Sequence, residues 1–331
     1  MKIAFFSTKP YDKIWFEPLG NEYGYEFLFL EAKLCGETVQ LAKGCDGVCA
    51  FVNDDLNKDV IREMADMGIK AIFMRCAGFN NVDLKEAHGK MKVLHVPGYS
   101  PEAVAEYAMA LLLTVNRQTH RAYLRTRDFN MNINGLMGTD LYCKTAGIIG
   151  TGRIGRAMIN ILKGFGMRVL AYDLYPDKSL EVEYVEPDEL FEKSDVITLH
   201  CPLTKETEYI LNKDSFSKMK EGVFIINTSR GALIKTDALI EVLLKPGKIG
   251  GVGLDVYEEE GDVFYEDRSN EIMQDNTLAR LMTFPNVIVT SHQGYFTTEA
   301  MQAIAIETLE NIFAFDNGNE LVNEVCTSNK S

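Results

Sequence analysis

The stretch from Lys144 to Asp173 constrains this chain more than any other. A short apolar run, Ala146, Ile148 and Ile149, leads into Gly150-x-Gly152-x-x-Gly155. An apolar-periodic segment follows, with Ile154, Met158, Ile161, Leu162 and Phe165, and a second apolar run from Val169 to Tyr172 ends in Asp173. The order is strand, tight turn, helix, strand, acid. Gly150 lets the chain turn sharply, Gly152 keeps side-chain bulk away from an approaching pyrophosphate, and Gly155 lets the helix pack closely on the sheet. The unpaired N–H groups at the helix start suit a diphosphate. Asp173, 18 residues after Gly155, is placed to accept hydrogen bonds from ribose hydroxyls and to repel a 2'-phosphate. NAD is therefore favoured over NADP.

That unit occupies less than a tenth of 331 residues, and a chain of this length divides into two cores. Residues 1 to 99 read as five βα repeats, with strands at Ile3 to Phe6, Glu26 to Leu30, Gly47 to Phe51, Ala71 to Met74 and Lys92 to Val96. Short apolar strands separated by helical or turn material imply a parallel sheet covered on both faces, here a small flavodoxin-like domain. Ser100-Pro101 starts a helix. A second series of six strands runs from about Gly147, with later members at Val196 to Leu199, Val223 to Asn227, Gly251 to Asp255 and Val287 to Thr290. A helix from Thr298 to about Ala314 follows. The expected fold class is α/β, with two Rossmann-like parallel-sheet domains: residues 1–99 plus 298–331 form a substrate domain and 100–297 an NAD-binding domain. Two chain crossings make a hinge, and the cleft beside it is the expected place for chemistry.

Lys plus Arg is 34 against 48 Asp plus Glu, a formal net charge of −14. Such a chain has no general electrostatic pull on nucleic acid or an anionic membrane. No apolar run reaches membrane-spanning length and no signal-like segment precedes the first strand, so a cytoplasmic protein is expected. The seven cysteines are scattered, and Cys45 and Cys49 lack a second ligand pair or a nearby histidine, so reduced thiols and no metal are expected.

Three polar residues stand at strand ends in the second series: Arg230, Glu260 and His292. The carboxyl ends of parallel strands are where such sheets collect their sites. An arginine fork matches a carboxylate and polarises a carbonyl. A histidine exchanges a proton near neutral pH, and a neighbouring carboxylate orients it. Together they suit reduction of a 2-keto acid. Taken singly, each also has an ordinary reading, as a surface ion pair, a solvated acidic run or a helix-cap histidine.

Eight segments in order settle between these readings: RCAGFNNVDL at 75 to 84, VPGYSPEAVAEYA at 96 to 108, HRAYLRTRD at 120 to 128, the GTGRIG turn, LHCPLT at 199 to 204, INTSRGALI at 226 to 234, GLDVYEEE at 253 to 260 and SHQGYFTTEA at 291 to 300. The chain resembles the D-isomer-specific 2-hydroxyacid dehydrogenase family over almost its whole length, and most of all the fermentative bacterial members that reduce pyruvate to D-lactate with NADH. The resemblance implies Arg230 as the group that binds substrate carboxylate and carbonyl, His292 as the acid/base, and Glu260, not Glu258 or Glu259, as its partner. It implies cofactor contacts from Arg153 and Ile154 beside the glycines, from Asp173, Cys201, Pro202, Thr207, Thr228 and Ser229, and from Asp255 near the nicotinamide amide. On the substrate side it implies the Ala77-Gly78 backbone, Arg75 and Tyr99. Tyr295 departs from the phenylalanine found three residues past the histidine in several relatives, so its hydroxyl either tunes the preferred side chain or simply packs. The expected partners are a small 2-keto or 2-hydroxy acid and a second copy of the chain, as a homodimer or higher oligomer. Two rivals remain at this point: the same chemistry on a branched or aromatic 2-keto acid, and an NAD-sensing protein without turnover. Residues 261 to 284, acidic and with a helix expected near Asn276 to Leu281, frame either the active-site mouth or an oligomer contact.

Overall fold

A computed structural model describes residues 1–325. The chain divides into two compact units, Met1–Ser100 together with the chain from Phe296 onward, and Pro101–Tyr295.

The first unit is built on a five-stranded parallel sheet of β1 (Lys2–Phe5), β2 (Glu26–Phe29), β3 (Gly47–Ala50), β4 (Ala71–Met74) and β5 (Lys92–Leu94), in the order β2-β1-β3-β4-β5. That is the flavodoxin-like order, with a switch point between β1 and β3. The central strands β3 and β4 are buried at every position, which is why they read as unbroken apolar runs. The crossover from β2 to β3 holds only a 3-10 turn, Val39–Ala42, in place of an α-helix. The helix Pro10–Tyr23 starts with Pro at its first turn and a capping box through Asp12. Phe16 of that helix meets Phe5 edge-on at 4.8 Å. The helix Thr298–Asp316 packs on the same unit, with Phe313 against Tyr23 at 6.1 Å and Phe315 against Phe73 at 5.9 Å.

The second unit holds seven parallel strands where the sequence suggests six: β6 (Thr145–Ile149), β7 (Arg168–Tyr172), β8 (Glu183–Tyr184), β9 (Val196–Leu199), β10 (Val223–Asn227), β11 (Ile249–Leu254) and β12 (Val287–Val289). Their order, β12-β11-β10-β9-β6-β7-β8, reverses direction at β6 and β9, as in a dinucleotide-binding fold. The additional strand β8 is a two-residue edge held only by pairing Leu170 with Glu183 and Ala171 with Tyr184. It has no apolar run to announce it. Strand β11 begins two residues earlier than its apolar pattern suggests, because Gly250 falls at a register shift against Val223 and Phe224. Two apolar clusters cover the sheet. One includes Ile225, Leu239 and Val252, and the other joins the helix Pro101–Arg117 to the helix Arg153–Gly164 through Leu112, Met158 and Leu162.

Candidate active site

The glycine turn leaves β6 with Gly150 at φ +97, a left-handed value suited to glycine. A Cβ at Gly150 would also lie 2.5 Å from the Cys201 nitrogen, and one at Gly155 would lie 2.1 Å from the Gly150 carbonyl oxygen. At Gly152 a Cβ would meet nothing within 4 Å. The same residue precedes the helix Arg153–Gly164, whose start carries no side-chain cap. Open space and uncapped N–H groups therefore coincide where a pyrophosphate is expected. Arg153 is exposed in the first helical turn, while Ile154 packs against the apolar cluster beneath.

Asp173 follows β7. Its carboxylate accepts from the Thr151 N–H at 2.6 Å, the Thr151 hydroxyl at 3.0 Å and the Tyr175 N–H at 2.9 Å. The acid is thus tied to the glycine turn, with lone pairs remaining for ribose hydroxyls. Cys201 is buried, and that burial pushes its thiol up to about 12, so it forms a neutral wall. Pro202 is exposed. The Thr207 hydroxyl closes this loop by donating to the Pro202 carbonyl at 2.7 Å and accepting from the Thr204 N–H at 2.8 Å. Beside them, Thr228 is buried and its hydroxyl has no hydrogen-bond partner. Ser229 donates to the Leu199 carbonyl at 2.9 Å. An orphaned hydroxyl, an open glycine and an uncapped helix fit a dinucleotide.

The catalytic candidates stand at the carboxyl ends of three adjacent strands, Arg230 after β10, Glu260 after β11 and His292 after β12. Half-buried Arg230 opens a 3-10 turn, and its Nη1 donates to the Ser229 carbonyl at 2.7 Å. Asn227, fully buried, donates from Nδ2 to the Arg230 carbonyl at 2.8 Å. The next residue, Gly231, lies so close to the following strand's exit that a Cβ there would be 2.0 Å from the Tyr257 carbonyl.

His292 Nδ1 and Glu260 Oε1 are 2.9 Å apart. The second Glu260 oxygen accepts the Tyr257 N–H at 3.0 Å, which fixes the carboxylate's orientation. This leaves His292 Nε2 as the ring atom that can face a substrate. His292 itself sits at φ +53, a conformation that costs a non-glycine residue about 1–2 kcal/mol.

Asp255 holds that conformation. Its backbone carbonyl accepts the His292 N–H at 2.8 Å. One carboxylate oxygen accepts the Thr290 hydroxyl at 2.6 Å and the Gln293 N–H at 2.9 Å, and the other accepts the Gly294 N–H at 2.7 Å. Burial pushes the Asp255 carboxyl above the ordinary carboxylate range, and these hydrogen bonds offset part of that. The sequence reading gave Asp255 a cofactor contact and missed this anchoring of 290 to 294. It also missed Tyr265, whose ring lies 5.9 Å from the His292 ring at a 32° tilt and whose hydroxyl is 3.4 Å from the His292 carbonyl. Glu258, grouped with a solvated acidic run, instead accepts the Tyr209 hydroxyl at 2.6 Å, Lys235 Nζ at 2.8 Å and the Thr236 N–H at 3.1 Å. Spacing along the chain carries no sign of these partners, because they lie on different loops.

In the first unit, Arg75 is 4% exposed. It donates to the Ser7 carbonyl at 3.0 Å, lies 3.7 Å from Asp12 and sits over the rings of Phe5 and Phe51. Its Nη1 has no partner. The Ala77 carbonyl pairs with His95 Nδ1 at 2.9 Å and the Gly78 carbonyl with the Cys76 thiol at 3.2 Å. No hydrogen bond among the described residues uses the Ala77 or Gly78 N–H, so this turn offers two adjacent donors. Tyr99 is half-buried and Tyr295 buried. No cluster of three or more metal-ligating side chains occurs among the described residues.

Known proteins similar to this chain are numerous. The NAD-binding domain of the D-isomer-specific 2-hydroxyacid dehydrogenases matches residues 109–294. D-lactate dehydrogenase of Escherichia coli (strain K12) is 50% identical over 329 residues, covering 98% of this chain and 100% of that one. The apo-structure of D-lactate dehydrogenase from Escherichia coli superposes with a TM-score of 0.89 at 48% identity, covering 98% of this chain and all of the other. The pyruvate reductase of Chlamydomonas reinhardtii gives 0.92 at 40% identity, covering 98% of each chain. With its cofactor unit matched as a domain and nearly its whole length shared with such relatives, the chain belongs to the D-isomer-specific 2-hydroxyacid dehydrogenase family.

Proposed function

We propose that this chain reduces pyruvate to D-lactate with NADH and runs the reverse reaction with NAD. The observation that carries the reading is the His292–Glu260 pair at 2.9 Å, beyond the carboxyl ends of β12 and β11, in the same row of strand ends as Arg230 after β10. NAD is the cofactor of the matching domain, and when bound it supplies the hydride. Gly152 and the helix start would hold its diphosphate, Asp173 its adenosine ribose, and Cys201, Pro202 and Thr228 would line its path. Arg230 binds the substrate carboxylate and polarises the keto oxygen. His292 Nε2 gives its proton to that oxygen as it gains charge, and Glu260 fixes the ring's orientation through Nδ1. The paired N–H groups of Ala77 and Gly78 support an added role in anion binding, and Tyr99 and Tyr295 are assigned to the substrate side. Arg75 supports the Ala77 turn from beneath, since its guanidinium is enclosed by Ser7, Asp12 and two rings.

A homodimer is part of the same proposal. The helix Thr119–Arg127 buries none of its residues, and the following segment exposes Phe129 at 88%, Ile133 at 80% and Met137 at 91%. Such a concentration of exposed apolar side chains supports coverage by a second copy. No helix among the described residues is long and apolar enough to cross a membrane, and the six described cysteines are free thiols. The free thiols support the cytoplasmic assignment.

Initial rates with NADH and a panel of 2-keto acids, from pyruvate to 4-methyl-2-oxopentanoate and phenylpyruvate, test the substrate assignment. Pyruvate is expected to give the highest kcat/KM. A preference for a branched or aromatic member would reassign the substrate within the family, and no turnover with any member would sink the catalytic reading.

A further inference from the structure

The opposite, amino-terminal ends of β4 and β5 carry a feature with no part in the dehydrogenase reading. Lys70 immediately precedes β4 and Lys92 opens β5, and the Lys92 N–H donates to the Lys70 carbonyl at 3.0 Å. The two residues are therefore backbone neighbours, with Lys90 two residues before Lys92. All three line a cavity of about 520 Å³ in the first unit. Its remaining walls are largely apolar, including Met91, Val93 and the ring of Phe315. Phe73 meets Phe315 edge-on at 5.9 Å. Along β4 the distance from Lys70 to Arg75 is five residues, or about 16 Å, so this cavity is separate from the Ala77 turn.

The charges around it do not balance. Lys92 pairs with Glu324 at 2.8 Å. Lys90 pairs with Glu86, but that carboxylate is already held by Arg62 through two hydrogen bonds of 3.0 Å. Lys70 makes no ion pair among the described residues. The lining thus holds one lysine, Lys70, without an ion pair among the described residues, beside two that are paired, on a chain whose net charge is −14. A bound anion would find the Lys70 ammonium available to it.

The lining contains no arginine. A carboxylate is matched best by a planar guanidinium fork, whereas lysines act as point charges suited to a compact dianion such as phosphate. The volume lies in the range of small-molecule sites and far exceeds a bare phosphate, and the Phe315 ring offers a stacking surface. We propose that this cavity is a second small-molecule site that takes a phosphate monoester with a flat apolar body, the phosphate against Lys70 and its lysine neighbours and the body against Phe315 and Met91. The site is independent of the catalytic reading.

The test uses the full chain saturated with NADH, so that the dinucleotide site is filled, and follows the ¹³C-methyl resonance of Met91, assigned with Met91→Leu. Phenyl phosphate, inorganic phosphate and phenol are titrated separately. A saturable Met91 shift is expected with phenyl phosphate, with a Kd at least about tenfold below that of either fragment. Lys70→Glu, and to a smaller degree Lys70→Gln, is expected to raise that Kd at least about tenfold while kcat/KM for pyruvate is unchanged. No saturable shift, inorganic phosphate binding as tightly as phenyl phosphate, or an unaltered Kd in both Lys70 variants overturns the proposal.

Discussion

Replacing Gly231 by alanine puts the geometry of the candidate site under direct strain. The added Cβ would lie 2.0 Å from the Tyr257 carbonyl carbon and oxygen and 2.4 Å from the Glu258 nitrogen. All three are backbone atoms, so no side-chain rotation can yield. Ordinary contact begins near 3.4 Å, and the turn carrying Arg230 must separate from the segment leading to Glu260 by about 1.4 Å. The φ of Gly231 is not in the left-handed region, so steric contact is the only source of strain. Overpacking of this kind costs about 1–3 kcal/mol of stability. Its effect on rate is larger, because misplacement of a reacting group by about 1 Å costs on the order of 100-fold. The expected fall in kcat/KM for pyruvate is therefore at least about 100-fold, or roughly 2.7 kcal/mol. NADH affinity, read from the enhancement of its fluorescence on binding, is expected to change by less than about threefold, because the glycine turn after β6 is untouched. Steady-state kinetics with a parallel thermal melt make the comparison. A folded Gly231→Ala variant with normal kcat/KM would refute the claim that close backbone approach holds Arg230 against the Glu260 segment.

Asp173→Ala is expected to weaken NADH binding and so narrow the preference for NADH over NADPH; equal use of both cofactors by the unaltered chain would contradict the role given to Asp173. Arg230→Lys keeps a charge but loses the fork, and kcat/KM for pyruvate should fall at least about tenfold with little change in NADH affinity. Full turnover in that variant would move the carboxylate clamp elsewhere. Glu258 gives an acid-stability prediction: burial raises its carboxyl, but hydrogen bonds from Lys235, Tyr209 and Thr236 win and bring it down to about 2 from 4.5. Its folded value is depressed, so its contribution is complete above about pH 4.5 and is lost as pH falls toward 2. Allowing for solvent around Lys235, that contribution is about 2 kcal/mol. Urea unfolding of the unaltered chain and Glu258→Gln should differ by this amount at pH 7 and converge as pH falls from about 4.5 toward 2; a constant difference would refute the assignment.

Much of the fold was legible because parallel strands buried on both faces must be apolar throughout. Strands β3, β4 and β9 are buried at all four positions and lie where their apolar runs suggest. Strand β8 is the counterexample: Glu183 and Tyr184 are partly exposed, and edge pairing alone makes them a strand. The glycine turn was legible for a steric reason, since Gly150 and Gly155 each approach backbone atoms too closely for a Cβ. Arg230, Glu260 and His292 stood out at strand ends, but their roles came from family resemblance, and nothing in their spacing shows that Glu260 reaches His292 across 32 residues. The support around them was less legible still. Asp255 looked like a strand-end acid facing a cofactor, yet its oxygens bind a hydroxyl and two N–H groups contributed by 290 to 294. Tyr265 lies in the acidic 261 to 284 segment, where the sequence has no periodicity from which to place its ring beside His292.

The central claim is that His292, held by Glu260, delivers the proton while Arg230 positions a 2-keto acid for reduction on one face. Chiral analysis of the product formed from pyruvate and NADH, on the unaltered chain and on His292→Ala with NADH binding confirmed for both, tests it most directly. The account predicts D-lactate in one-to-one amount with NADH consumed by the unaltered chain, and a rate reduced by at least about 100-fold in His292→Ala. L-lactate, a racemic product, or near-normal D-lactate formation by the variant would contradict it.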